Sequence, residues 1–179
     1  LAWTLPWTVQ NKQTNCIDLE LCSSPSTRAH YPFDFQIQLQ YTVTSNRIQC
    51  HQRYCNTGTQ PMPFSAGFHP YFLTDDKANT RIHYRPSQHF QYNAALTEVT
   101  PSHQHSLSGS TLDNPKINEQ LCQTAPGSPV YLEHPQAGRI TMNANTAPSA
   151  PPFSYLQLYT DPDLPFFCAE PWMSPPNAL

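Results

Sequence analysis

Two side chains that can move protons near neutral pH lie in apolar segments of this 179-residue sequence. His69 lies in FSAGFHPYF, residues 64–72, and Glu170 lies in FFCAEPW, residues 166–172. An imidazole titrates near neutrality, and apolar neighbours raise the pKa of a carboxylate, so the two suit general acid and base catalysis. Each precedes a proline, which favours extended backbone before it and would hold the side chain in a fixed orientation.

Each of these residues also has a structural interpretation. A histidine in an apolar run is commonly a core residue that hydrogen-bonds to a backbone carbonyl. A glutamate in such a run is unfavourable to bury unless it is paired, so Glu170 would then form an ion pair with an arginine. The two segments alone do not decide whether His69 and Glu170 have structural or catalytic roles.

A metal site is a further alternative, suggested by the sequence HQH at residues 103–105. Histidines two positions apart project to one side of a strand, and His134 or Asp113 would add a ligand. The flanking sequence SHQHSLSGS is typical of a loop, however, and the spacing alone is permissive. We therefore expect no bound metal and no cofactor.

Composition argues against several classes of partner. Hydrophobic residues make up 38% of the chain, charged residues only 12%, and the net charge is −3. The chain has no basic run, which argues against nucleic acid and anionic membranes as partners. No apolar stretch reaches the roughly 18 residues of a membrane-spanning helix. Six cysteines without a CxxC pair are typical of reduced thiols and predict a cytoplasmic protein.

The segments around these residues are predicted to be strands. FDFQIQLQYTVTS alternates apolar and polar residues, and with RIQCHQRYCN after a turn at 45–47 it predicts an antiparallel hairpin. Weaker alternation predicts further strands at residues 16–21, 80–84, 129–134, 139–144 and 154–160. Residues 97–118 are polar and nearly patternless, which predicts a long loop. Short strands separated by Pro, Gly and Asn predict an all-β, antiparallel β-sandwich.

The length suits one domain, residues 1–179. Both ends, LAWTLPWTV and CAEPWMSPPNAL, break off within apolar sequence. We therefore expect a single sandwich domain that is incomplete at the N-terminus and also at the C-terminus.

Three blocks of the sequence resemble the aldose 1-epimerase (mutarotase) family in their order and spacing. They are YPFDFQIQLQYTV, NTGTQPMPFSAGFHPYF and FFCAEPWMSPPNAL. The resemblance is closest to the branch related to hexose-6-phosphate mutarotases, whose members carry Pro-Phe-x-x-Gly-x-His-Pro-Tyr-Phe and Glu-Pro-Trp segments. It implies a large twisted β-sandwich that interconverts the α and β anomers of an aldose. The implied partner is a small-molecule hexose or hexose phosphate.

The resemblance also implies roles for individual residues. His69 would be the general acid and Glu170 the general base. Asp113, in STLDNP, would bind sugar hydroxyls, although an Asx turn before the proline explains it equally well. Tyr71 and Trp172 would pack on the apolar face of a pyranose.

The sequence departs from the family pattern in two ways. The family's domain begins before the position of Leu1, with strands and a further active-site histidine and arginine that have no counterpart in this sequence. LAWTLPW aligns with a family segment that reads His-Gly-Phe-Ala-Arg-x-Leu-Pro-Trp, so Trp3 replaces an arginine that would help to bind phosphate. This argues against a preference for phosphosugars, and Trp3 would instead stack on a sugar face. Arg53 lies on the polar face of the second hairpin strand, where it either contacts sugar in the binding groove or is solvated.

The alternative function is a carbohydrate-binding β-sandwich without turnover.

Overall fold

The computed structural model describes residues 2, 4–125, 127–144 and 153–178, and nearly all of their regular structure is β. The chain divides into two compact units, residues 1–63 and residues 64–179. The single domain expected from the length stays a prediction. Within the described residues, no helix is long and apolar enough to cross a membrane. All six cysteines are free thiols.

The first unit is a four-stranded antiparallel sheet in the order β1-β2-β3-β4. Its elements are β1 (Thr8–Lys12), β2 (Cys16–Cys22), the short helix α1 (Pro25–Arg28), β3 (Phe35–Thr44) and β4 (Arg47–Asn56). The predicted hairpin is confirmed, because β3 and β4 pair along their whole length around a two-residue turn. A capping box at Ser24 starts α1.

One face of this sheet carries amides that hydrogen-bond to carboxylates. The Asp18 carboxylate accepts from the Asn11 amide at 3.0 Å and from the Gln40 amide at 2.8 Å. Glu20 accepts from Gln36 at 2.8 Å in the same way. The hydrogen bonds from Gln40 and Asn11 stabilise the ionised form and lower the pKa of Asp18 from its ordinary value.

The second unit contains two antiparallel sheets, one of six strands in the order β5-β13-β12-β9-β7-β8 and one of three in the order β11-β10-β6. Their strands are β5 (Tyr71–Leu73), β6 (Arg81–His83), β7 (Pro86–Tyr92), β8 (Val99–Ser102), β9 (Gln120–Thr124), β10 (Val130–His134), β11 (Gly138–Met142), β12 (Tyr155–Thr160) and β13 (Phe166–Trp172). The strands predicted at 80–84, 129–134, 139–144 and 154–160 correspond to β6, β10, β11 and β12.

The long loop predicted at residues 97–118 is wrong in part. This segment contains β8, which pairs with β7, and a 3-10 helix at Pro115–Ile117. The strand has only four residues, VTPS, lies at the sheet edge and includes a proline, so it shows no alternation that a sequence pattern could reveal.

The core of the second unit lies between its two sheets. The six-stranded sheet contributes Leu156, Leu158 and Phe167, and the three-stranded sheet contributes Ile82 and Leu132, all nearly or fully buried. Burial of this apolar surface is the main stabilising contribution to such a layer. The arrangement confirms the predicted antiparallel β-sandwich, and it leaves the opposite face of the six-stranded sheet for other residues.

Candidate active site

Backbone pairing places His69 directly opposite Glu170. Gly67 pairs with Trp172 on one side of this position, and Tyr71 pairs with Cys168 on the other side, in the same antiparallel register. His69 and Glu170 lie midway between these pairs, so their side chains point to the same face of the sheet. The His69 Nε2 atom lies 3.4 Å from the Glu170 Oε1 atom.

A close backbone contact beside this pair requires glycine at position 67. A Cβ atom added there would lie 2.5 Å from Trp172 Cδ1 and 3.2 Å from the Pro171 oxygen. The same oxygen accepts a hydrogen bond from the Phe68 N–H at 3.0 Å. Pro171 pairs with Leu156 on β12, and on its other side it lies beyond the three residues of β13 that pair with β5. On that side no ladder hydrogen bond from its nitrogen is required, so a proline is tolerated.

His69 is partly exposed and is therefore not the core histidine of the structural interpretation. Its side chain is 39% exposed, and its ring stacks on Tyr71 with the centroids 4.9 Å apart and the planes 10° from parallel. The ring of Tyr159 meets it edge-on at 6.1 Å. Two aromatic contacts therefore orient the imidazole towards Glu170.

Glu170 is a buried carboxyl group with a strongly raised pKa. Its side chain is only 2% exposed. Burial, and then the negative charge of Glu119, raise its pKa to about 8, while a hydrogen bond from the Trp172 indole opposes the shift. A carboxyl group with such a pKa exchanges its proton near neutral pH, as an acid–base catalyst must.

A second carboxylate joins the site through a glutamine. Gln157 on β12 pairs directly with Glu170, and its amide N–H donates to Glu119 Oε2 at 3.0 Å. The amide oxygen of Gln157 accepts from the Tyr92 hydroxyl at 2.8 Å. Glu119 lies just before β9 with a φ of 57°, and burial raises its pKa. Four strands or strand ends thus bring polar groups to one patch.

Neither Gln157 nor Glu119 is predicted as a site residue from the sequence, although Gln157 gives a signal there. In the predicted strand SYLQLYT, Gln157 is a single amide between two leucines and shares its face with two tyrosines. Such a buried polar side chain needs partners and indicates a site. Glu119, in a polar segment between the 3-10 helix and β9, gave no comparable signal.

An open cavity of about 610 Å³ lies over the His69–Glu170 pair. Its volume falls in the range of small-molecule sites. His69 and Glu170 line it together with Phe68, Trp172, Ser65 and Asn177. Polar and aromatic groups around a proton-transfer pair are suited to a small polar ligand with apolar faces.

A model of the protein family described as aldose 1-epimerase matches residues 1–177. The chain belongs to the aldose 1-epimerase family. This confirms the resemblance that the three sequence blocks carry. A search of curated proteins finds no match.

Solved structures show the same fold. The Slr1438 protein of Synechocystis is 26% identical, with a TM-score of 0.77 over 97% of this chain and 57% of its own. A galactose mutarotase related enzyme of Lactobacillus acidophilus is 19% identical, with a TM-score of 0.75 over 98% and 62%. A galactose mutarotase-like protein of Clostridium acetobutylicum is 16% identical, with a TM-score of 0.76 over 96% and 57%. The chain thus spans 57–62% of the length of these structures.

The other predicted site residues lie in different places. Tyr71 and Trp172 contact the His69–Glu170 pair. Asp113 is exposed in the turn before the 3-10 helix, and no hydrogen bond or ion pair among the described residues joins it to that pair. Arg53 is exposed on β4 of the first unit, and Trp3 lies outside the described residues. Their binding roles stay predictions.

The histidines of the HQH segment do not form a metal site within the part of the chain that is described. His103 and His105 are exposed in the segment after β8. His134, one of the two residues predicted to add a ligand, is instead held by Asp76, with His134 Nε2 and Asp76 Oδ2 3.0 Å apart. That histidine therefore anchors the end of β10.

Proposed function

We propose that this member of the aldose 1-epimerase family interconverts the α and β anomers of a hexose. The observation that carries the proposal is the His69 Nε2 atom 3.4 Å from a buried carboxylate in an open cavity. The protein would act on a small-molecule aldose. Its expected cytoplasmic location, with reduced cysteines, belongs to the same proposal.

The reaction opens and recloses the sugar ring. In the proposed step the Glu170 carboxylate takes the proton of the C1 hydroxyl, and protonated His69 gives a proton to the ring oxygen as the C1–O5 bond breaks. Rotation about C1–C2 then presents the other face of the aldehyde. Closure reverses both transfers, so no proton is gained or lost overall.

The short separation of the two groups fits this step. The C1 hydroxyl oxygen and the ring oxygen are bonded to the same carbon, so an acid and a base a few ångströms apart reach both. The raised pKa of Glu170 supports the role, because a base of pKa about 8 binds the C1 proton more strongly than an ordinary carboxylate would.

Neighbouring residues suit the binding of the sugar. Glu119 and the Gln157 amide present polar atoms beside Glu170, where ring hydroxyls would lie. Tyr71, a residue that is 62% exposed, offers an aromatic face next to His69. We propose that the hydroxyls bind to the first pair and that the apolar side of the ring packs on the aromatic residues.

Polarimetry of freshly dissolved α-glucose and, separately, α-glucose 6-phosphate tests the proposal. The protein should speed the decay of optical rotation with one or both sugars. Glu170→Gln and His69→Asn should each lower the catalysed rate by about 100- to 10,000-fold, because each removes one proton-transfer group. Asp18→Asn, on the sheet of the first unit, is the matched control and should leave the rate unchanged.

The outcome also separates the enzyme from the alternative function. An undiminished catalysed rate in Glu170→Gln would rule out the assigned base. Sugar binding that persists in Glu170→Gln, with no acceleration by the wild-type chain, would identify a carbohydrate-binding module instead.

A further inference from the structure

A third side chain with metal-binding chemistry lies beside the His69–Glu170 pair. Cys168 is two residues before Glu170 on β13, so its side chain points to the same face of the sheet. One ligand atom from each of His69, Cys168 and Glu170 lies within 4.8 Å of the other two. Cys168 and Glu170 are buried and His69 is partly exposed, which leaves an approach from solvent.

We propose that His69, Cys168 and Glu170 bind a zinc-class divalent cation, and that this ion inhibits the enzyme. The binding part is independent of the function proposed above, and only the inhibition rests on it. A thiolate, an imidazole and a carboxylate are the three ligand types that Zn²⁺ takes from proteins. Three protein ligands also leave the fourth tetrahedral position open to water.

The distances suit a tetrahedral ion after small side-chain movements. Ligand bonds of about 2.0–2.3 Å at a tetrahedral angle place neighbouring ligand atoms about 3.4–3.6 Å apart. His69 Nε2 and Glu170 Oε1 already lie 3.4 Å apart. Three atoms no more than 4.8 Å from one another share a point about 2.8 Å or less from each, so shifts of about 0.5–0.8 Å complete the coordination.

The charge and proton balance of metal binding involves the thiol of Cys168 and the carboxyl group of Glu170. Binding of the cation replaces the thiol proton and the carboxyl proton, and both are released to solvent. The dication then neutralises one thiolate and one carboxylate, and no redox step is involved.

Inhibition follows from which atoms the ion occupies. The ion would take the Nε2 lone pair of His69 and an oxygen of Glu170. These are the two atoms that transfer protons in the proposed reaction, so neither would be free for the sugar. Chelation of the ion should restore both.

Cobalt(II) is the spectroscopic probe for binding, because a thiolate ligand gives a charge-transfer band that imidazole and carboxylate ligands do not. Chelator-treated full chain is titrated with Co²⁺, and the band should appear and then disappear when Zn²⁺ displaces the cobalt. Cys168→Ala should lack the band. Cys122→Ala is the matched control, since Cys122 is also buried on the six-stranded sheet but faces the core, and it should keep the band.

A second arm of the experiment follows mutarotation at increasing Zn²⁺, with each variant normalised to its own metal-free rate. Cys168→Ala should need at least about tenfold more Zn²⁺ than wild type for half inhibition, because loss even of an outer-shell partner costs 10- to 100-fold in metal affinity. Cys168→Ser serves as the second variant if Cys168→Ala does not fold.

The two arms fail in different ways. No cobalt band in wild type, or a band that survives in Cys168→Ala, would overturn the three-ligand site. Inhibition of equal strength in wild type and Cys168→Ala would overturn it as well. A band that depends on Cys168, in a chain without mutarotation, would support the metal site and contradict the proposed function instead.

Discussion

Asp18 and Glu170 are both acidic residues in the middle of a β-strand, and their surroundings shift their pKa values in opposite directions. Asp18 lies on the sheet of the first unit, where two amides donate to its ionised carboxylate and lower its pKa. Glu170 lies on the six-stranded sheet, where burial and a second carboxylate raise its pKa to about 8.

The difference shows what converts a strand carboxylate into a proton carrier. Hydrogen-bond donors and access to water keep Asp18 charged, so it is a fixed charge at neutral pH. For Glu170 the effect of burial outweighs the hydrogen bond from the Trp172 indole, so the charged form is unfavourable and the proton becomes exchangeable at neutral pH. Three predictions test this contrast.

The largest expected effect comes from Gly67→Ala, which disturbs the geometry around Glu170 without touching its charge. The new Cβ would meet Trp172 Cδ1 at 2.5 Å, so the indole that donates to Glu170 must move. A displacement of about 1 Å at a catalytic centre lowers rates by about 100-fold, and we expect a loss of that order in mutarotation.

Gly58→Ala is the matched control for this substitution. Its Cβ would have a nearest contact of 3.4 Å, an ordinary packing distance, so the rate should stay at the wild-type level. A Gly67→Ala variant with the wild-type rate would show that the close contact with Trp172 does not position the site.

A smaller effect, on the pH dependence of the rate, is expected when Glu119 is replaced by glutamine. Glu170 would then have an amide as its neighbour, as Asp18 does. In Glu119→Gln the negative charge that raises the pKa of Glu170 is removed, so that pKa falls. The rising limb of the pH–rate profile should therefore shift to lower pH. Mutarotation measured against pH in the presence of a chelator gives the result.

Glu133→Gln is the control for Glu119→Gln, because Glu133 is an exposed carboxylate on β10 that pairs with Arg139 at 2.6 Å. Its profile should coincide with that of the wild type. If Glu119→Gln gave an unshifted limb or one at higher pH, Glu119 would not be the group that raises the pKa of Glu170.

The smallest expected effect is on stability, and its sign should differ between the two carboxylates. Folded Glu170 keeps its proton up to about pH 8, whereas the unfolded chain releases it near the ordinary value of 4.5. Wild type therefore loses stability as pH rises between these values, and Glu170→Gln should have the higher melting temperature at about pH 8 but not at about pH 4.

Asp18→Asn should show the opposite behaviour. The pKa of Asp18 is below 3.8 in the folded chain, so its ionised form contributes stability at neutral pH that is lost as pH falls below that value. Asp18→Asn should therefore melt below wild type at about pH 7, with the difference shrinking in acid. Parallel pH dependences for the two variants would contradict the contrast.

A strand can be predicted from the sequence when one of its faces is polar and the other is packed against the protein. A strand that is buried on both faces gives no such pattern. Strands β3 and β4 have one polar face, and their alternation predicts both of them and the turn between them. Strand β13, FFCAEPW, is buried at five of its seven positions, so it shows no period of two and was not predicted as a strand. Strand β9, QLCQT, shows no period of two either, because its two buried residues, Leu121 and Cys122, are adjacent in the sequence.

The site was predicted in part for a related reason. His69 and Glu170 stand out because each is a titratable residue in an aromatic segment, and the family resemblance joins them. Gln157 reaches the site because β12 pairs with β13, and Glu119 reaches it because β12 also pairs with β9, a strand far from both of them in the sequence. Local patterns carry no information about such pairing, so a structure was needed to find the second carboxylate.

The bridge between Gly67 and Trp172 also has a consequence for the order of folding. A neighbouring hydrogen bond joins Ser65 and Ser174, which are 109 positions apart in the chain. Closing so long a loop is entropically unfavourable until the strands between have paired, so these contacts form late. A refolding chain would thus acquire its sheets before its proton-transfer pair, and recovered activity would report that the last long-range contacts of the second unit have formed.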